Sequence, residues 1–524
     1  CRHARVRGAG PRPYCKVFGP QVNATVRSVA AIIGLVALAF VARYYLLAPE
    51  TGDIDEATFV VVAQSVLRGA LPYETALDNK PAGFFYVLAG AMALFGRNVE
   101  VVRLFGSALV AGAALVLWIL GRRYLSIVMA TALAALFVMA QAGAIGDSTK
   151  SELVANLFVS ASLLALVSLP GRNRDSFIAG LLIGCAVLSR TNLAYLALAV
   201  TLLHLAAVVR PDVVGLKRSG ILALAAGGLL PLGLLVLPYA LRGELQLLWI
   251  GVVEVAWSQA QGSRDAFERL ILLPHSFVRI LPSLAGLLLV VCGIGIWRTR
   301  AVLRERPELW RDVLLGWVYL VAIEFSVVMS GPFYNHYMLQ VLPPLVLLGA
   351  IGFSGYEWSW RNWTPRLLAA GVGGGLLWFG ALGVMTVWQQ ATGRLERPLR
   401  QAAVAMAPEL GAKDRVWATG STQLIYYYLD RDPILPVAVF PSNLTKAVIV
   451  APLVRAGLMP NDGPHAALEL RPRFVVTTSA EPPRQLSEAD RQRFAEAYEL
   501  WHSDGGVFVY RLSEELGYGD GFRP

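Results

Sequence analysis

The stretch VAAIIGLVALAFVARYYLL, from Val29 to Leu47, decides the fold of this chain. It is nineteen residues long and contains one charged side chain, Arg43. As a helix it can cross the ~30 Å hydrocarbon core of a bilayer. The segment before it is strongly basic. Because Lys and Arg stay on the cytoplasmic side, we predict that the N-terminus lies inside and that the residues after Leu47 lie outside.

The composition of the whole chain agrees with repeated membrane crossings. Of its 524 residues, 56% are hydrophobic and 16% are charged, whereas soluble globular proteins carry about 25% charged residues. The net charge of +10 comes from short basic loops between apolar blocks, which favours membrane topology over nucleic-acid binding. We therefore predict a polytopic α-helical membrane protein, surrounded by membrane lipids, with about 11 to 13 transmembrane helices.

Apolar segments that each cross once would place the strongly basic loops inside. These segments are Val29–Leu47, Val101–Leu120, Leu125–Ile145, Leu153–Leu169, Phe177–Leu188, Leu193–Val209, Ile221–Leu241, Val278–Trp297, Val313–Met329, Met338–Phe353 and Leu367–Val387. One further block, Pro81–Gly96, is apolar but short, and counting it would reverse the sidedness of every later loop. We interpret it as an interfacial or re-entrant helix, with a true crossing as the alternative.

From about Gln389 the pattern changes, and the C-terminus is predicted to lie outside. Polar helical stretches alternate there with short β-like runs at Arg415–Ala418, Ile434–Val439, Phe474–Thr478 and Val507–Leu512. We predict a transmembrane catalytic domain over residues 1–388, with an external loop at 48–99. Residues 389–524 would form an extracytoplasmic (periplasmic) soluble α/β domain. The tail has no nucleotide-binding or metal-ligand spacing, so it would assist rather than catalyse.

The first external loop contains closely spaced carboxylates, in the stretch PETGDIDEATF from Pro49 to Phe59. Asp53 or Asp55 can cap the helix that begins here, since carboxylates are favoured at helix N-termini. Alternatively, a carboxylate at the membrane surface can act as a general base. Lys80, further along the loop, is either an ordinary headgroup-facing lysine or a cation that meets a lipid phosphate.

The order of motifs in this loop resembles a known family. The matching stretches are Asp55-Glu56, Arg68-Gly69-Ala70-Leu71-Pro72-Tyr73, Asp78-Asn79-Lys80-Pro81, Leu94-Phe95-Gly96 and Val102-Arg103-Leu104. Together they resemble the membrane glycosyltransferases of C-type fold (GT-C). Within these they are most similar to the bacterial branch of the protein O-mannosyltransferase superfamily, which includes the aminoarabinose transferase of lipid A.

Two later stretches fit the same resemblance. Family members carry a second acidic residue in the next external loop, where Glu152 fits best and Asp147 is the runner-up. The run from Asn335 to Leu345 is similar to the family's His-Tyr element followed by a Pro-Pro helix, and it contains His336.

The resemblance implies transfer of a sugar from a polyprenyl-phosphate donor at the outer face of the cell membrane, with inversion at the anomeric carbon. Asp55 would be the base, with Glu56 beside it, and Glu152 the second acidic residue. Lys80 would meet the donor phosphate. Arg190, Arg264 and His336 are further candidates for the phosphate, although each can instead make a structural contact such as a helix cap or a salt bridge.

The sequence leaves several alternatives open. Asp55 and Glu152 could share a divalent cation, but two carboxylates form an incomplete site. A transporter or lipid flippase would need ionisable residues or broken helices near mid-membrane, and internal repeats, whereas the charges here cluster in external loops. A non-catalytic subunit with a decayed site is a third hypothesis, which the intact Asp55, Glu56 and Lys80 disfavour. The acceptor and the sugar cannot be read from the sequence.

Overall fold

The computed structural model describes residues 20–143, 148–168, 173–210, 219–261, 266–330, 334–356 and 359–513. Its membrane region consists of helices α1 Pro20–Arg43, α2 Ile54–Leu67, α3 Ala82–Phe95, α4 Val99–Gly121, α5 Ile127–Ala140, α6 Ser151–Ser168, α7 Asn173–Ser189, α8 Ala194–Val209, α9 Gly220–Arg242, α10 Leu245–Trp249, α11 Val255–Gln261, α12 Ala266–Ile280, α13 Leu284–Glu305, α14 Trp310–Met329, α15 Leu342–Gly352 and α16 Trp363–Ala391. A π-helical turn at Ile250–Glu254 joins α10 to α11.

Eight helical segments in the described ranges are long and apolar enough to cross a membrane. They are Ala24–Leu47, Val99–Gly121, Ser151–Ser168, Thr191–Val209, Gly220–Arg242, Leu284–Glu305, Pro307–Met329 and Trp363–Ala391. Each overlaps one of the eleven predicted crossings. The polytopic helical fold expected from the composition is therefore confirmed.

The other three predicted crossings are helical but shorter. α5 has 14 residues and α7 has 17, while the third is a 3₁₀ turn at Asn335–Val341 followed by α15. At 1.5 Å per residue, α5 is about 21 Å long, less than the hydrocarbon thickness. α3 is also 14 residues long, so its length does not distinguish it from α5, and the interfacial interpretation of Pro81–Gly96 stays a prediction.

Small residues allow the membrane helices to pack closely. α7 and α9 approach so near that a Cβ at Gly180 would collide with the backbone of Leu224, and one at Gly227 with that of Phe177. Because lipid tails are as apolar as leucine, such close backbone contact stabilises membrane helices by dispersion. This pair holds α7 in place, and α7 ends one residue before Arg190.

The C-terminal region is a small α/β unit. It contains helices α17 Pro398–Met406, α18 Leu424–Tyr428, α19 Ala447–Arg455, α20 Gly463–Glu469 and α21 Glu488–Ala497, and strands β1 Val416–Ala418, β2 Phe474–Thr477, β3 Tyr498–Asp504 and β4 Val507–Leu512. The sheet order is β1-β2-β4-β3, with β1 and β2 parallel and the other pairs antiparallel. Trp417, Val475 and Val509 are fully buried in its core.

Three of the four β-like runs predicted from the sequence contain strands, and one prediction was wrong. Ile434–Val439 contains a 3₁₀ helix at Pro436–Val439 instead of a strand. Pro436 has no amide hydrogen, so it cannot donate to a sheet but fits the first turn of a helix.

The C-terminal region is joined to the first loop by specific hydrogen bonds. The carboxylate of Glu50 accepts the amides of Leu399 and Arg400 at the start of α17, both at 2.9 Å. Thr58 of α2 donates to the carbonyl of Val439 at 3.2 Å, and the amide of Leu77 donates to that of Pro436 at 2.8 Å. The domain therefore contacts both the helix of Asp55 and the loop that precedes Lys80.

Candidate functional site

The start of α2 assigns different roles to its neighbouring carboxylates. Oδ1 of Asp53 accepts the amide of Asp55 at 2.9 Å, which makes Asp53 the helix cap. Its Oδ2 accepts the Ser148 hydroxyl at 3.0 Å and lies 2.8 Å from Nζ of Lys150. Burial opposes ionisation of Asp53, but Lys150 outweighs it, and together with these hydrogen bonds holds the pKa of Asp53 below its usual range.

Asp55 is left with an open carboxylate. It is partly exposed, and within the described ranges its side chain has neither a hydrogen bond nor an ion pair. Burial raises the pKa of Asp55 above its usual value; Lys80 opposes this rise, and the charges of Asp78 and Asp53 add to it. A half-buried carboxylate with a raised pKa and no partner is suited to accept a proton.

Lys80 is held next to this carboxylate by its own loop. Its ammonium donates to Oδ1 of Asn79 at 2.8 Å, lies 3.6 Å from Asp78 and sits over the Phe59 ring. The buried hydroxyl of Tyr73 donates to the Lys80 carbonyl at 2.7 Å and fixes the backbone. Burial opposes the charge of Lys80, but Asp78 and Asp55 outweigh it and raise its pKa, so the side chain stays cationic.

A second cation stands on the other side of the cluster. Nη1 of Arg190 lies 3.0 Å from Oε1 of the buried Glu152, and its guanidinium stacks over the Tyr337 ring at 4.3 Å. Nε2 of His336 lies 3.7 Å from the same Glu152 oxygen. Burial lowers the pKa of His336 to about 4, against the opposing pull of Glu152, so the imidazole is neutral at pH 7.

Glu56 is engaged elsewhere, although the sequence suggested it as a partner of Asp55. Its Oε1 accepts Nε of Arg103 at 2.7 Å, and its Oε2 accepts the amide of Thr149 at 2.9 Å. Arg103 also donates to the carbonyls of Leu46 and Pro49. Both side chains of the pair are almost fully buried. Glu56 therefore joins α2 to α4 and to the loop before α6, and it has no free oxygen for a substrate.

The structure brings some of the predicted site residues together and does not describe others. Lys80, Arg190 and Asp55 lie close enough for their charges to act on one another, and Glu152 joins them through Arg190. Arg264 and Asp147 lie outside the described residues. Among the residues that are described, no group of three or more His, Cys, Asp or Glu could hold a metal ion. Glu152 lies against Arg190 and His336, so an ion shared with Asp55 finds no third ligand in this part of the chain.

Sequence reasoning missed two neighbours of the site. Tyr337 lies in the run from Asn335 to Leu345, where the sequence assigned it no role of its own, but its ring supports the Arg190 guanidinium. Lys446 is an exposed residue of the C-terminal region that stands over Phe440 at 5.2 Å and interacts with the charges of Asp78, Asp55 and Lys80. It follows Lys80 by more than 350 residues, in a region without a motif, so no sequence pattern could have identified it.

Comparison with known proteins adds an independent finding. Residues 79–236 match the family described as dolichyl-phosphate-mannose-protein mannosyltransferase. No curated protein matches this chain in sequence. The crystal structure of ArnT from Cupriavidus metallidurans bound to undecaprenyl phosphate is similar with a TM-score of 0.60 and 14% identity, over 93% of this chain and 98% of that one. The chain has the C-type membrane glycosyltransferase fold.

Other C-type structures support the same assignment. The apo state of the same ArnT gives a TM-score of 0.58 at 14% identity, over 94% of this chain and 99% of that one. The apo oligosaccharyltransferase of Archaeoglobus fulgidus gives 0.53 at 13% identity, over 93% and 74%. The C-type fold expected from the motifs of the first loop is thus confirmed, and the family match, which begins at Asn79, agrees with the resemblance found there.

Proposed function

We propose that this membrane glycosyltransferase moves a sugar from a polyprenyl-phosphate donor to an acceptor at the outer face of the membrane. The observation that carries the proposal is the unpartnered Asp55 carboxylate, held beside the cationic Lys80 in the first loop. A base next to a phosphate-binding cation is what displacement of a phosphate leaving group requires.

The proposed reaction is a single displacement. The acceptor hydroxyl or amine attacks the anomeric carbon while Asp55 takes its proton. The bond between the anomeric carbon and the phosphate oxygen breaks, and its electron pair leaves with the phosphate. Lys80 stabilises the negative charge that develops there, with Arg190 as a second cation. Attack from the face opposite the phosphate inverts the anomeric carbon.

Other residues hold this arrangement. Glu152 orients the Arg190 guanidinium from one side and Tyr337 supports its face from the other. The neutral His336 can donate a hydrogen bond to phosphate or sugar but adds no charge. Arg264 remains a candidate for the same phosphate. Lys446 brings a cation from the C-terminal region, which is suited to an acceptor that carries negative charge.

The distribution of charge favours group transfer over the transporter or lipid flippase considered as the alternative. Lys80 and Asp55 belong to the first loop, and Arg190 to the break between α7 and the following span. These charged groups lie in or next to the first loop, where a lipid-linked phosphate can be reached from the headgroup region.

The proposal is tested by Asp55→Asn in a deletion strain, with lipid-linked sugars and surface glycans measured by mass spectrometry. We expect product to fall by about a hundredfold or more while the protein accumulates normally and the donor builds up. Asp55→Glu, which keeps a base, should restore part of the product. Near-normal product from Asp55→Asn would refute the role of Asp55.

A further inference from the structure

A pocket of about 490 Å³ lies on the far side of α2 from the site described above. Its polar lining includes Arg97, Glu100, Arg397, Arg400, Tyr427 and Tyr428. Gln64 of α2 also lines it, nine residues after Asp55, which corresponds to about 14 Å along the helix axis. The pocket is therefore separate from the Asp55 carboxylate, and it is formed jointly by the membrane helices and the C-terminal region.

The charges of this arginine pocket do not balance within the described residues. Arg397 pairs with Glu100 at 3.5 Å and donates to the carbonyl of Leu47. The guanidinium groups of Arg97 and Arg400 have no hydrogen bond or ion pair in the described chain. Three cations and one carboxylate leave a net charge of +2 at the lining. The nearby acids Glu50 and Asp430 are already engaged, by the amides of α17 and by Arg68.

The residues around the pocket indicate that it lies at the level of the lipid headgroups. It opens where the membrane span Val99–Gly121 begins, just after the strongly exposed side chains of Leu94 and Phe95. Near the end of α16, the Arg394 guanidinium lies 4.5 Å from the ring centroid of the exposed Trp388. Exposed tryptophan and arginine at the end of an apolar helix mark the interface between hydrocarbon and water.

We propose that the arginine pocket binds the phosphate headgroup of an anionic membrane lipid. Guanidinium groups match phosphate oxygens in two parallel hydrogen bonds. The acyl chains would lie along the exposed apolar residues Leu94 and Phe95. Such a lipid would join the start of α4 to α17 and α18, independently of sugar transfer.

The test measures lipid binding by the purified full-length chain in detergent. Fluorescent phosphatidylglycerol is the probe, with phosphatidylcholine as its zwitterionic counterpart and inorganic phosphate as competitor. The variant Arg97→Gln with Arg400→Gln removes the two unpaired cations. Its matched control, Lys413→Gln with Arg415→Gln, removes two exposed cations of the same C-terminal region.

We expect the wild type and the control to prefer phosphatidylglycerol, and the pocket variant to bind it about tenfold more weakly or worse. Asp55→Asn should bind as well as the wild type, so this result does not depend on the proposed reaction. Equal affinity of the pocket variant and its control would overturn the proposal. Inorganic phosphate binding as tightly as the lipid would refute the headgroup assignment, because the pocket would then be a site for free anions.

Discussion

Replacing Glu56 by glutamine separates structural from catalytic carboxylates at the start of α2. The side chains of Glu56 and Arg103 are 2% and 3% exposed, and the change would leave a buried arginine without its counter-charge. Removing one partner of a buried ion pair costs about 3 to 5 kcal/mol. Glutamine can still accept from Arg103, and the carbonyls of Leu46 and Pro49 remain as acceptors. We therefore expect the free energy of unfolding to fall by about 3 kcal/mol, the lower end of this range.

The assay compares two variants one residue apart. Thermal unfolding is followed by loss of the monodisperse peak in size-exclusion chromatography, and sugar transfer is normalised to folded protein. Glu56→Gln should lower the melting temperature but keep most of its transfer per folded molecule. Asp55→Asn should keep the melting temperature, because Asp55 has no ion pair to lose, but it should lose most of its sugar transfer per folded molecule. A Glu56→Gln protein that is as stable as the wild type and inactive would refute this division of roles.

Two further predictions concern the acid limb of the pH–rate profile and the side of the membrane on which the loops lie. Asp55 must be ionised to act as a base, so its raised pKa should move the acid limb of the rate profile above the usual aspartate range. Lys80→Ala should weaken donor use and move the acid limb to still higher pH, because the lysine charge lowers the pKa of Asp55. Lys80→Arg, which keeps the charge, should leave the acid limb where it is. An acid limb at unchanged pH in Lys80→Ala would contradict the coupling of the two charges. Cysteines introduced as Asn79→Cys and Asp430→Cys should react with an impermeant thiol reagent on intact cells, and Glu305→Cys should not; the reverse pattern would place the site on the cytoplasmic side.

Hydropathy and local capping chemistry made much of the membrane region predictable. Asn98 and Ser283 cap α4 and α13 through their side chains, and apolar length located the helices between. The start of α13 was less predictable: the span was expected from Val278, but α12 continues to Ile280 before α13 begins at Leu284. Both segments are apolar, so hydropathy alone could not separate them.

The first loop was identified by its motifs, but the roles within it depended on contacts across the fold. Asp55 and Glu56 are adjacent in sequence and both acidic, yet only Glu56 pairs with Arg103, which lies near the start of α4. Asp53 caps α2 through a local bond, but its ionisation depends on Lys150 and Ser148. These contacts join side chains that are 47 and 95 residues apart for Glu56–Arg103 and Asp53–Ser148, which local patterns do not encode.

The hydrogen bonds of Glu50 have a consequence for the order in which the protein matures. The acceptor and the amide of Leu399 are separated by 349 positions, so the loop is synthesised long before its partner exists. Contacts of such sequence separation form late, after the intervening chain has been ordered. Until the last membrane helix is inserted, Glu50 and the carbonyl of Val439 cannot brace the helix that bears Asp55. In a nascent chain the first loop therefore lacks these supports, and the helix that bears Asp55 is fully braced only at the end of biosynthesis.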